Sequence, residues 1–159
     1  MPELARTILL VEDDENDVFF VRYAFESAGV VNPVEVVKDG QEAIEYLAGT
    51  GRYSDRRHYP LPCLVLLDLK LPVRPGLDVL RWIGQQPRLQ PLLVIVLTSS
   101  KDSNDVEEAY RLGARSFLVK PLSIHERLEA AKVIKRYWLE LNQCPTLGAG
   151  LPAPNPLAR

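Results

Sequence analysis

The residues best suited to chemistry in this chain stand at the ends of short apolar runs. Cys63-Leu64-Val65-Leu66-Leu67 ends in Asp68, and Thr7-Ile8-Leu9-Leu10-Val11 ends in Glu12, Asp13 and Asp14. Leu92 to Leu97 leads into Thr98, and Ser116 to Val119 leads into Lys120. Carboxylates crowded together repel unless a cation sits between them, and oxygen ligands without imidazole or thiolate suit Mg²⁺. A carboxylate can also attack a phosphoryl group and hold it as a mixed anhydride, provided that a metal and an ammonium neutralise the developing charge. On this chemistry Asp68 is the nucleophile, and Glu12, Asp13 and Asp68 hold Mg²⁺, Glu12 through water. Lys120 pairs with one phosphate oxygen and Thr98 donates to another.

The elements that must bring these groups together are legible from apolar spacing. Runs of aliphatics buried on both faces are the habit of a parallel sheet covered by helices. After Val11, the residues Val18, Val21, Phe25 and Ala28 recur at helical spacing up to Gly29. Val34 to Val37 reads as a strand, and a helix carrying Ala43, Ile44 and Leu47 follows it to about Gly49. Thr50 to Pro62, with Arg52, Arg56, Arg57 and His58, reads as an exposed loop because its apolar residues follow no period. Leu77, Leu80 and Ile83 mark a third helix stopped by Pro87, and Val106, Ala109 and Tyr110 mark a fourth, capped by Asp102 or Ser103. Ser123-Ile124-His125-Glu126 is a capping box, and Leu128, Ala131, Ile134, Trp138 and Leu141 carry the fifth helix to about Asn142.

Five strand–helix units predict an α/β fold: a doubly wound, five-stranded parallel sheet with right-handed crossovers and strand order 2-1-3-4-5. That order sets the first and third strands side by side, so Glu12, Asp13 and Asp68 share the crevice at the carboxyl edge. The Pro- and Gly-rich residues 143–159 cannot continue the last helix and read as a flexible tail or one ordered by a partner, leaving 1–142 as the folded unit.

Val11-Glu12-Asp13-Asp14, Leu66-Leu67-Asp68, Leu71-Pro72 with Gly76, Leu97-Thr98-Ser99 and Val119-Lys120-Pro121 occur in this order over residues 6 to 141. In these motifs the chain resembles a response-regulator receiver domain of two-component signalling, which has the flavodoxin-like fold. The resemblance implies autocatalytic transfer of phosphate from a sensor histidine kinase to Asp68, a cis Lys120–Pro121 bond, and a metal ligand from the main-chain carbonyl of Lys70. It also implies a switch in which Thr98 and Phe117 report phosphorylation to the face formed by helix four, strand five and helix five. The loop at 50–62 and Trp138-Leu139-Glu140 resemble the single-domain regulators that serve phytochrome kinases.

Each of these residues has a plainer role available to it. Asp68 could be a turn former, Glu12 and Asp13 could charge a helix start as Asp14 does, Thr98 could be a cap and Lys120 a surface charge. Tyr137 and Trp138 could pack in the core or form a homodimer contact through helix five and strand five. A haloacid-dehalogenase-like phosphatase would also use an aspartyl phosphate, but such enzymes carry a second Asp where this chain has Lys70. A receiver-like binding module that takes no phosphate would not need the complete set of Glu12, Asp13, Asp68, Thr98 and Lys120.

The totals are consistent with one domain. The 159 residues suffice for a core without disulfides or a structural metal, and two cysteines form no zinc or disulfide pattern. A formal net charge of −2 lacks the basic surplus that phosphate-backbone binding requires. No apolar run approaches a membrane span or signal core, which points to a cytoplasmic protein.

Overall fold

The computed structural model describes residues 6–147 and 154–157. Chain order is β1 (Ile8–Val11), α1 (Glu15–Ser27), β2 (Val34–Val37), α2 (Gly40–Ala48), β3 (Leu64–Leu67), α3 (Gly76–Gly84), β4 (Val94–Thr98), α4 (Ser103–Arg111), β5 (Ser116–Val119) and α5 (Ile124–Ile134). All strands pair in parallel, in the order β2-β1-β3-β4-β5. This is the expected receiver fold.

Alternation along the strands divides the core into two layers. Leu9, Val11, Val65, Leu67, Val94 and Val96 meet Ile44 and Leu47 of α2, Leu80 and Ile83 of α3 and Ala109 of α4. Ile8, Leu10, Leu64, Leu66 and Ile95 meet Phe25 of α1 and Ala131 and Ile134 of α5. Because both faces are covered, β1 and β3 are buried along their whole length, hence the uninterrupted aliphatic runs.

Helix starts follow the capping chemistry of the sequence. Asp14 accepts from the amides of Asn16 and Asp17, Asp39 from Glu42, Asp102 from Asn104 and Ser123 from Glu126. One boundary and one helix geometry differ from expectation. The fourth strand begins at Val94 rather than Leu92, because the Leu92 amide closes a turn onto the Leu89 carbonyl. The fifth helix does run to Leu141, but Lys135–Leu141 widens into π-helical turns, with the Asn142 amide reaching back five residues to Tyr137 O at 2.7 Å.

The segment from Thr50 to Pro62 is not the solvated loop that its lack of periodicity suggested. Tyr53 is buried, and its ring lies 5.0 Å from both Tyr46 and Tyr59. Arg56 donates to the carbonyls of Tyr46 at 2.7 Å, Leu47 at 2.8 Å and Tyr59 at 3.1 Å, satisfying the C-terminal end of α2. Arg57 and His58 are exposed as expected, and exposed Arg52 pairs with Glu42. The Lys120–Pro121 bond also differs from the cis form that the resemblance implied: no cis peptide occurs among the described residues. Trans is the lower-energy isomer of X–Pro bonds by about 0.5–1 kcal/mol, and in it the Lys120 amide still donates to Thr98 O at 2.8 Å.

Past α5, Cys144 Sγ donates to Cys63 O at 3.6 Å and Leu147 packs against the layer of α2, α3 and α4. Asn155 accepts from Trp82 Nε1 at 2.5 Å, and its amide donates to Gln86 Oε1 at 2.7 Å. The rest of the tail, 148–153 and 158–159, lies outside the described residues, as do residues 1–5. Among the described residues no helix is long and apolar enough to cross a membrane.

Candidate functional site: an acid pocket at the carboxyl edge of the sheet

The site is a consequence of strand adjacency. Pairing Val11 with Leu67 makes Glu12 and Asp68 the next residues of neighbouring strands, and the Asp68 amide donates to Val11 O at 3.1 Å. Glu12 and Asp68 are buried, Asp13 is exposed, and one oxygen from each lies within 4.8 Å of the others. Glu12 Oε1 is held by the Asp14 amide at 3.1 Å, and Asp68 Oδ1 accepts from the Lys70 amide at 3.3 Å.

Lys120 closes the pocket from the end of β5. Its Nζ lies 2.7 Å from Glu12 Oε2, 2.8 Å from Asp17 Oδ2 and 3.0 Å from Asp68 Oδ2. Burial disfavours this ammonium, but its hydrogen bonds to Asp17, Glu12 and Asp68 outweigh that and hold its pKa above the ordinary lysine value. Burial dominates at Glu12, whose carboxyl is pushed up to about 7. The Lys120 and Asp14 hydrogen bonds oppose that rise, and the charge of Asp68 adds to it. A buried carboxylate that costs this much to ionise is a group whose charge a cation would relieve.

The backbone after Asp68 is packed too tightly for side chains at two positions. A Cβ on Gly76 would meet the Asp68 carbonyl oxygen, and one on Gly40 would lie 2.0 Å from Arg74 O. The turn is tied down where the Gly76 amide donates to Leu69 O at 2.9 Å. Gly76 in the motif thus lets the connection fold back over the acid's own backbone.

The other expected residues occupy the same edge or the layer beside it. Thr98 is fully buried, and its Oγ1 accepts from the Ser100 amide at 3.4 Å. The Lys70 side chain is exposed. Phe117 is half-buried against the layer of α2, α3 and α4, and its amide donates to the Tyr110 hydroxyl at 3.1 Å. Asp17 is the site residue that the sequence reading missed. Its only sequence signal is an acid in the first turn of α1, a position that a favourable helix-dipole interaction explains equally well.

The donor set fits a hard divalent cation. Glu12, Asp13 and Asp68 offer carboxylate oxygens without His or Cys, the ligand chemistry of Mg²⁺ and Mn²⁺. Bound there, the cation would neutralise charge gathering on a phosphoryl group at Asp68.

The response regulator receiver domain model matches residues 8–132. A probable methanogenesis regulatory protein, FilR2 of Methanothrix harundinacea, is 39% identical over 138 residues, covering 87% of this chain and 86% of that protein. The phosphorylated cyanobacterial phytochrome response regulator RcpA superposes with a TM-score of 0.82 at 32% identity, over 89% of this chain and 99% of its own. Response regulator Rcp1 of Synechocystis sp. is 33% identical. The crystal structure of its Mn²⁺-bound form has a TM-score of 0.80, over 88% of this chain and 99% of that one. Sequence, sheet order and acid pocket thus lead to one assignment: the chain belongs to the response regulator receiver domains, the phosphoacceptor proteins of two-component signalling.

Proposed function

We propose that Asp68 accepts a phosphoryl group from a sensor histidine kinase of the phytochrome type in the presence of Mg²⁺, and that the phosphorylated chain switches a protein-interaction face. The observation that carries this reading is the buried Asp68 beside Glu12, with Asp13 and Lys120 completing the pocket. The phytochrome assignment is supported by the similarity to RcpA and Rcp1 across nearly their whole lengths.

In the transfer, an Asp68 carboxylate oxygen forms the P–O bond as the P–N bond to the kinase histidine breaks and the imidazole leaves. Glu12, Asp13, Asp68 and the main-chain carbonyl of Lys70 would hold the cation, which would neutralise charge developing on the phosphoryl group. Lys120 pairs with a phosphoryl oxygen and Thr98 donates to another. Movement of Thr98 frees space for Phe117 to turn inward, which alters the face of α4, β5 and α5. We take 1–142 as the receiver unit and 143–159 as an appended segment, in which Cys144, Leu147 and Asn155 contact the domain.

The same reading includes a homodimer through α5 and β5. Val133, Tyr137 and Leu141 lie four residues apart along the last helix, each more than half exposed, a continuous apolar stripe. Trp138, by contrast, packs inward against the layer of α1 and α5. The charge balance and the lack of a membrane-crossing helix among the described residues favour a cytoplasmic site of action without nucleic acid.

Incubation with Mg²⁺ and acetyl phosphate tests the proposal by intact mass. The wild-type chain gains one phosphoryl group and Asp68→Asn gains none. A wild type that gains no phosphate and whose NMR spectrum is unchanged by beryllofluoride overturns it. The phosphatase reading has no support at Lys70, where a second catalytic acid would be needed.

A further inference from the structure

A lysine ammonium has three N–H donors, and Lys120 Nζ is surrounded by three carboxylates: it donates to Asp17 Oδ2 and Asp68 Oδ2 and pairs with Glu12 Oε2 at 2.7 Å. A phosphoryl oxygen on Asp68 gains a Lys120 N–H only when one of these bonds is surrendered. Glu12 and Asp68 belong to the acid triad that a cation and the phosphoryl group engage. Asp17 stands outside that triad, on α1, and holds Lys120 at 2.8 Å.

The second oxygen of Asp17 has its own cation. Asp17 Oδ1 lies 3.4 Å from Arg127 Nη1 on α5. Arg127 is itself fixed, with Nε donating to Pro121 O at 2.8 Å and the guanidinium 4.9 Å above the Phe20 ring. The Lys120, Asp17 and Arg127 side chains are 11%, 22% and 19% exposed, so solvent screens their interactions less than it would at the surface. When Lys120 turns away, Asp17 keeps Arg127 as its counter-ion, and no carboxylate is left unpaired.

We propose that Asp17 is a positioning residue that competes with the phosphoryl group for Lys120, and that Arg127 sets the strength of that competition by partly neutralising Asp17. The inference rests on the reading of Asp68 as phosphoacceptor and names what regulates that site. It also gives phosphorylation a second route outward: loss of the Lys120–Asp17 bond loosens a link between α1 and β5 and leaves Asp17 to Arg127 alone.

The test measures beryllofluoride affinity at saturating Mg²⁺ by calorimetry, with ¹⁹F NMR of the bound complex, for wild type, Asp17→Asn, Arg127→Gln and the double variant. Release of one competing charge pair makes Asp17→Asn bind about threefold tighter or more. Its Lys120-facing fluorine resonance shifts while the other two stay in place. Arg127→Gln strengthens the hold of Asp17 on Lys120 and binds more weakly. The double variant behaves as Asp17→Asn, because Arg127 acts only through Asp17. Unchanged or weaker binding by Asp17→Asn overturns the proposal, and so does a double variant equal to the sum of its parts, which would mark a general field effect. Should Asp17→Asn fail to fold, unchanged or tighter binding by Arg127→Gln overturns it. Failure of the wild type to bind beryllofluoride removes the phosphoacceptor reading as well, whereas wild-type binding with an indifferent Asp17→Asn removes this inference alone.

Discussion

Gly76 lies so close to Asp68 that a Cβ atom on it would stand 2.3 Å from the Asp68 carbonyl oxygen and 2.8 Å from the Leu69 Cα. Both atoms are backbone and cannot swing aside, so Gly76→Ala must push the turn off the end of β3. The expected cost is about 3 kcal/mol, the upper end for overpacking a tight site, read by urea unfolding. Phosphate uptake falls with it, because Asp68 is displaced from Glu12. An alanine variant as stable as wild type would mean that the turn has another conformation available.

Glu12 makes stability depend on pH in a predictable direction. Its carboxyl has an ordinary pKa of 4.5 and is pushed up to about 7 in the fold, chiefly through burial. Between these values the folded state keeps a proton that the unfolded state has lost. The Glu12 contribution is therefore whole below pH 4.5 and declines as pH rises to about 7. Without Mg²⁺, Glu12→Gln loses less stability than wild type between pH 4.5 and 7.5 in denaturant titrations. Mg²⁺ affinity of the wild type rises with pH through about 7, since the cation replaces a proton. A wild-type stability curve parallel to that of the variant would contradict the assignment.

Val73 is a β-branched residue with φ of 67° in the turn between β3 and α3, and it is 76% exposed. Asparagine tolerates this left-handed backbone far better, and Val73 has little packing to lose. Val73→Asn is expected to stabilise the fold by about 1 kcal/mol and to leave the extent of phosphate uptake unchanged. Chemical denaturation and intact mass check the two halves of the prediction.

The stripe of Val133, Tyr137 and Leu141 should mark the dimer contact. Placing a charge at its centre with Tyr137→Glu is expected to raise the dimer dissociation constant roughly tenfold or more, measured by sedimentation equilibrium. Asp68 lies at the far edge of the sheet and should still take phosphate. Identical association by variant and wild type would move the contact elsewhere.

Much of the fold was legible because its signals are local. The strands announce themselves as aliphatic runs, and Asp14, Asp39, Asp102 and Ser123 stand where helix starts need acceptors. The segment around Tyr53 and Arg56 was not legible. Its order comes from three tyrosine rings and three carbonyls contributed by two elements, without a repeating period that sequence spacing could reveal.

The sequence by itself determined which chemistry the protein can carry: acids, a hydroxyl and an ammonium, each at the end of an apolar run and each within a few residues of the element that presents it. Tertiary structure alone decided how those charges share one another. Asp17 and Lys120 are 103 residues apart and meet at 2.8 Å because α1 and β5 converge at the carboxyl edge. Whether an acid in the first turn of a helix charges its dipole or grips a lysine across the sheet depends on the distance between elements, and only packing sets that distance.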